Sequence, residues 1–409
     1  MRGAWGFYGR DRHEAVRLLN AGGWTAALFV ASSLFSHDVA LRLVLLAVAT
    51  LLCAGVLVRE RGTVSALPPI WWAWLLFALW AAASISWSLE PARSQKELQN
   101  EVLYTALALC TCYIGAQAKH AARAFIAALA TGGTLACASA LWAFASGLPP
   151  ESNTGWHGGP GDHSAALLTL MPCALGVLWY GRQAAWPRTA LWITALLIAL
   201  FLASALTTQN RTVWLGFALE IGVFVVVLAL RRAGDRRAQL WLAAAGVVTI
   251  AAMGTVVLLV QRDRETTGAA SMSADPRLRI WSKATEHIEQ RPLTGYGFGR
   301  GLLRDRLPGE ANVEQAWHAH NLFLDLTLQV GLTGLLLFVL LIGTTLRYGF
   351  RFAAETSAAS AACGMALIAV LAGMLTRNMT DMLFVRQNAL LFWGVTGVLL
   401  AWGARWRSA

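Results

Sequence analysis

The chain has 409 residues, 57% of them hydrophobic and 13% charged, with 19 tryptophans and a mean hydropathy of +0.53. That composition excludes a water-soluble globular protein and, with long uninterrupted apolar runs, points to an all-α polytopic membrane protein whose backbone groups are satisfied within each helix. The 33 Lys and Arg against 22 Asp and Glu give +11 at pH 7, an excess that in a bilayer protein reports orientation and not a nucleic-acid partner.

A spanning helix needs about 20 mostly apolar residues. Twelve segments meet that requirement: 18–36, 39–58, 67–87, 99–118, 122–147, 163–181, 187–208, 211–230, 238–260, 320–346, 357–378 and 387–404. The first follows Arg10, Arg12 and Arg17 and ends in Ser32-Ser33-Leu34-Phe35-Ser36 without a small-x-small cleavage site, so it reads as a retained span. Every connection on the side of the N-terminus is basic, from Arg2 through Arg59, Lys119, Arg182, the Arg231-Arg232 and Arg236-Arg237 pairs and Arg347 to Arg405 and Arg407. That side is expected to be cytoplasmic, with both termini inside. The chain then forms a single membrane domain over 1–409, in contact with lipid, with residues 262–317 as an external insertion between the ninth and tenth spans.

Along the chain, Trp71-Trp72 and Trp74 read as an interfacial belt. Cys53, Cys110, Cys112, Cys137, Cys173 and Cys363 sit in apolar stretches and read as buried free thiols. There is no paired C-x-x-C, H-E-x-x-H or D-x-D, so neither a metal nor another cofactor is expected. Arg211 opens the eighth span in Thr207-Thr208-Gln209-Asn210-Arg211-Thr212. Such an arginine either snorkels to headgroups or binds a phosphate bidentately at membrane depth. Glu220 falls inside the same span, where a carboxylate faces a cavity or a partner.

In the insertion, Pro276 to Gln290 can form an amphipathic helix with Leu278, Trp281, Ala284, Thr285 and Ile288 on one face, opposite Arg279, Lys283 and Glu286. Arg291-Pro292 ends it, and Gly295, Gly297 and Gly299 form a tight loop. No strand precedes those glycines, which speaks for a turn and against a nucleotide site. Trp317-His318-Ala319-His320-Asn321 follows where the chain re-enters the membrane. A histidine in the first turn of a helix feels the positive end of the macrodipole, which keeps the imidazole neutral and available as a base. Two residues apart on a helix are about 200° apart, so His318 and His320 share a site only if the helix starts between them. Asp381 lies in the last external link, with Arg377 and Arg386 nearby, where an ordinary ion pair is the plain alternative to a substrate contact.

Together these residues resemble the bacterial O-antigen ligases, of a superfamily that includes lipid-linked polysaccharide polymerases and O-linked oligosaccharyltransferases. The family's pattern of His, then Asn, Ser or Gln, nine residues, Gly, two residues and Gly, Thr or Tyr is matched by His320-Asn321, Leu322 to Val330, Gly331 and Gly334. Arg277-Leu278-Arg279-Ile280-Trp281 and Pro292-Leu293-Thr294-Gly295-Tyr296-Gly297 resemble the superfamily's Arg-x-x-x-Trp and Pro-x-x-Gly-x-Gly runs. The segment Gly158 to Ser164 departs from the Asn-rich sequence common in relatives, and no role is carried over to it.

The resemblance implies a glycosyltransferase of the inner membrane that moves a glycan from undecaprenyl diphosphate to the lipid A–core oligosaccharide on the periplasmic side, without a metal and with inversion. His320 would act as base toward the acceptor hydroxyl or orient it, Arg211 and Arg277 would offset charge on the departing diphosphate, and Arg279, Asn321, His318 and Asp381 would bind substrate, with Asn321 alternatively fixing the imidazole. A polysaccharide polymerase shares this chemistry with another acceptor. A lipid-linked glycan flippase or transporter is the alternative from a different class.

Overall fold

The computed structural model describes residues 4–59, 64–148, 156, 158–231, 276–303 and 318–406, with scattered positions between 236 and 255. Among the described residues the chain is helical throughout, without a strand. In chain order the helices are α1 (Ala4–Ser32), α2 (Val39–Arg59), α3 (Trp71–Ala83, extended by a 3₁₀ turn Ser84–Trp87), α4 (Pro91–Leu98), α5 (Tyr104–Gly115), α6 (Ala121–Ala145), α7 (Pro160–Gln183), α8 (Arg188–Thr207), α9 (Arg211–Arg231), α10 (Pro276–Gln290), α11 (Leu322–Ala353), α12 (Ala358–Asn378) and α13 (Arg386–Arg405). A π-helical turn, Gln99–Leu103, joins α4 to α5.

Seven of these, α2, α6, α7, α8, α9, α11 and α12, are long and apolar enough to cross a membrane. This set fits a polytopic membrane protein. Helices also stand at 18–36, 67–87, 99–118 and 387–404, with differences from the expected spans. α1 begins well before the apolar run, α3 is only 13 residues long before its 3₁₀ turn, and the fourth segment starts as a π-turn. The expected ninth span, 238–260, and the insertion on either side of 276–303 fall largely outside the described residues.

α12 is the central helix, packed by α7, α9, α11 and α13. Its sequence, AASAACGMALIAVLAG, is rich in small residues that let backbones approach closely, the usual basis of helix association in lipid. At Gly364 a Cβ would stand 2.2 Å from the Ala353 nitrogen. By contrast α8 turns Trp192, Ile193 and Leu196 outward, each about two-thirds exposed, as a lipid-facing helix does. Trp74 corrects the interfacial-belt expectation: it is buried and packs edge-on against Trp393 with centroids 4.4 Å apart, whereas Trp71 and Trp72 are exposed.

α9 and α12 run antiparallel. Arg231 at the end of α9 donates to the Glu355 carbonyl at 2.7 Å, just before α12 begins, and Glu220 in the middle of α9 fits against Gly373 of α12, where any Cβ would overlap its carboxylate. Glu220 is fully buried in that groove, and among the described residues neither of its oxygens has a hydrogen-bond partner. Because of this arrangement Arg211, which starts α9, lies at the same end of the bundle as Arg377 and Asn378, which end α12.

Candidate functional site

The site is built on an interrupted helix. α11 starts at Leu322, runs for nine residues and breaks at Gly331, whose φ of 70° and ψ of −178° are not helical. Into the break comes the glycine run of the insertion. The Tyr296 and Gly297 N–H groups donate to the Leu328 and Gln329 carbonyls, both at 2.8 Å, and the Leu332 N–H donates to the Pro292 carbonyl at 2.7 Å. Backbone groups that the break would orphan are thereby satisfied. The fit excludes side chains, since a Cβ on Gly295 (φ 64°) would stand 2.6 Å from the Gln329 carbonyl and one on Gly331 would stand 2.2 Å from the Leu293 carbonyl. The His-Asn-x9-Gly and Pro-x-x-Gly-x-Gly patterns are thus two halves of one packing unit.

Asn321 caps the first half of α11. Its Oδ1 accepts from the Phe323 and Leu324 N–H groups at 2.9 and 3.2 Å, while its Nδ2 donates to the Met379 carbonyl at 3.0 Å. The cap satisfies two donors of the first turn, and the amide ties that turn to the link between α12 and α13. The two histidines precede the helix, which corrects the expectation that His320 belongs to its first turn. His320 adopts a left-handed conformation (φ 49°), and its N–H donates to His318 Nδ1 at 3.0 Å. The rings consequently face each other with centroids 3.8 Å apart, an arrangement forbidden on a regular helix.

His318 is buried beside Asp325, with Nδ1 3.6 Å from Oδ2. Burial holds its imidazole below the ordinary value, against the pull of Asp325 and with a contribution from the neighbouring charges of His320 and Arg300. Asp325 also accepts the Ala319 N–H at 2.9 Å. The turn is closed from the other side by α10, where Trp281 Nε1 donates to the Ala319 carbonyl at 2.8 Å. This bond sets the rotation of α10. Its covered face is Arg277, Ile280, Trp281, Ala284, His287 and Ile288, while Leu278 and Thr285, expected on that face, are exposed. Arg277 lies one turn before Trp281 on this covered face, and its charge is felt at Arg377. Arg279 is exposed.

Asp381 faces His320, Oδ1 to Nδ1 at 3.5 Å, and is bound at its other oxygen by Arg377 Nη2 at 3.3 Å. The Met382 N–H donates to Oδ1 at 2.9 Å. Burial works against the charged carboxylate, but the His320 contact, the Arg377 charge and the Met382 N–H outweigh it and hold Asp381 well below the usual carboxylate range. The loop is fixed by Asn378, whose Oδ1 accepts from Leu383 and Phe384 N–H at 2.6 and 3.2 Å. Sequence reasoning named Asp381 for substrate but missed this engagement with His320, because 60-odd residues and a whole helix pair separate the two.

Arg300, at the end of the glycine run, was also missed. It lies close enough to Asp325, Asp381 and Glu101 to feel their charges, and burial lowers its guanidinium against them. It lines a partly open pocket whose walls are mostly apolar and aromatic, including Phe77, Phe298, Phe384 and Trp393, with Glu97, Glu101 and Gln329 also present. Arg211 stands at the start of α9 after a left-handed Gln209 (φ 47°), with Asn210 Oδ1 accepting the Thr212 N–H at 3.0 Å. The structure brings His318, His320, Asn321 and Asp381 together directly, with Arg277 at their edge, and leaves Arg279 outside.

His318, His320 and Asp381 offer nitrogen and oxygen atoms within 4.8 Å of one another, a spacing that a divalent metal could draw together. Each already has a protein partner. His318 Nδ1 takes the His320 N–H, and Asp381 is committed to Arg377 and Met382.

No curated protein matches this chain. Residues 196–339, running from within α8 through Arg211, Arg277 and His320 into α11, match the family model described as O-antigen ligase. That match, over the segment holding both halves of the interrupted-helix unit, supports membership of the chain in the O-antigen ligase family.

Proposed function

We propose that this protein transfers a glycan from undecaprenyl diphosphate to the lipid A–core oligosaccharide at the periplasmic face of the inner membrane, without a metal and with inversion at the anomeric carbon. The observation that carries the reading is the His320–Asp381 pair, set in a strained turn beside buried and half-buried arginines and close to a mostly apolar pocket. A polyprenyl diphosphate is an amphiphile with a doubly anionic junction, and both parts have a counterpart here. Both termini would then be cytoplasmic, and residues 262–317 would be the periplasmic part of one membrane domain.

In the proposed reaction His320 takes the proton from an acceptor hydroxyl. With Nδ1 turned toward Asp381, Nε2 is the nitrogen that receives it, and Asp381 stabilises the imidazolium that forms. The hydroxyl oxygen attacks the anomeric carbon as the bond to the diphosphate oxygen breaks, and the diphosphate leaves with the electron pair. Arg277 and Arg211 offset the charge that develops on it. Asn321 holds the histidine turn in place, His318 backs the His320 ring, and Asp381 serves orientation more than substrate binding.

The test is complementation of a cognate ligase-deficient strain that still assembles the lipid-linked glycan, read on lipopolysaccharide gels at matched expression. Wild type restoring long glycan on lipid A–core, with His320→Ala failing, supports the reading. A bare core with a lengthened lipid-linked glycan would make the protein a polymerase. Glycan appearing outside the membrane with His320→Ala fully active would make it a flippase.

A further inference from the structure

Asp162-His163-Ser164, in the first turn of α7, received no role from the sequence, yet each of the three holds a different helix. Asp162 Oδ1 accepts from Asn388 Nδ2 of α13 at 2.8 Å, His163 Nε2 pairs with Ser204 Oγ of α8 at 2.7 Å, and Ser164 Oγ accepts from Arg377 Nε of α12 at 3.0 Å. Ser164 gives its own proton to the Gly161 carbonyl at 2.6 Å, which leaves its lone pairs to the arginine. The guanidinium therefore has two fixed directions, Nε to Ser164 and Nη2 to Asp381. Its side chain is only 3% exposed.

We infer that Arg377 is a positioning residue: anchored by Ser164, it sets the direction of the Asp381 carboxylate, which in turn holds the His320 ring. The geometry separates it from the other arginines. A planar fork locked at two ends by the protein orients its neighbour, whereas a diphosphate-binding arginine needs access to substrate. Arg377 also lies beyond the segment that matches the family model. The inference rests on the reading of His320 as the base only for its effect on turnover.

The test uses the full chain in nanodiscs, with Arg377→Gln, Arg377→Lys and Ser164→Ala. The first readout needs no substrate: modification of His320 by diethyl pyrocarbonate at pH 7, followed by peptide mass spectrometry, with exposed His120 as internal reference. Release of the ring from Asp381 is expected to raise the His320 rate several-fold in Arg377→Gln and less in Ser164→Ala, leaving His120 unchanged. Arg377→Lys keeps the charge but reaches only one of the two partners, so it is expected to recover part of the difference. The second readout is transfer from undecaprenyl-diphosphate-linked glycan, where kcat is expected to fall at least about tenfold with KM for the glycan nearly unchanged. An unchanged His320 rate in folded Ser164→Ala and Arg377→Lys would overturn the inference even if Arg377→Gln does not fold, as would a loss confined to KM. Wild type that shows the modification pattern but transfers nothing overturns the ligase reading and leaves the positioning role standing.

Discussion

Gly295 and Gly331 meet with no room for a side chain between them: a Cβ on Gly295 would stand 2.7 Å from the Gly331 nitrogen. Both have positive φ, 64° and 70°. Gly331→Ala combines an alanine forced into backbone angles that essentially only glycine adopts, about 1–3 kcal/mol, with overpacking of about 1–3 kcal/mol. Both Gly295→Ala and Gly331→Ala are expected to lower the melting temperature in detergent sharply and to abolish transfer. Gly343→Ala, at a position with open space around it, is the control expected to leave both unchanged.

Asn321 has two separable jobs. Asn321→Asp keeps an acceptor for the Phe323 and Leu324 N–H groups but loses the amide that donates to Met379. Asn321→Ala loses both, including a cap worth about 1 kcal/mol. The expected order of stability by thermal unfolding is wild type, then Asp, then Ala, with transfer activity following the same order.

Arg277 and Arg279 lie two residues apart, but only Arg277 lies on the covered face of α10 with Trp281. Arg277→Ala is expected to lower transfer about 10²-fold or more, as loss of a donor to developing negative charge does. Arg279→Ala is expected to stay within about threefold of wild type. Initial rates with a lipid-linked glycan donor decide between them, and equal losses would show that α10 acts through its overall charge.

Asp381 is a carboxylate held below its ordinary range in the folded protein. A depressed group contributes stability that is present above its unfolded value, about 3.9, and is lost as pH falls toward the folded one. Asp381→Asn is therefore expected to unfold at lower temperature than wild type between about pH 5 and 8. The two melting curves should converge as the pH drops below about 4. A difference that persists at low pH would place the effect in packing and not in charge.

Much of the local design is legible in the residues. Apolar runs of about 20 residues mark the helices at 39–58, 122–147, 187–208, 211–230 and 357–378, because length and hydropathy suffice to define a span. Pro292 as a stop follows from backbone chemistry that acts within a few residues, whereas the cap at Asn321 and the break at Gly331 were not read, because 320–346 fits a single apolar span. The rotation of α10 was not legible, because an apolar stripe through Trp281 is completed by Leu278 and Thr285 as well as by Ile280. The bond from Trp281 to Ala319, 38 positions away, selects the stripe.

The sequence by itself pointed to a polytopic membrane protein, placed most of the described helices and put His320 at the head of one of them. Only the tertiary structure decided what surrounds His320. Ser164, Arg377 and Asp381 come from two distant parts of the chain, and their hydrogen bonds exist because α12 packs in the middle of α7, α9, α11 and α13. Patterning encodes which face of a helix is buried, but the partner of a buried charge depends on how helices far apart in sequence align their ends.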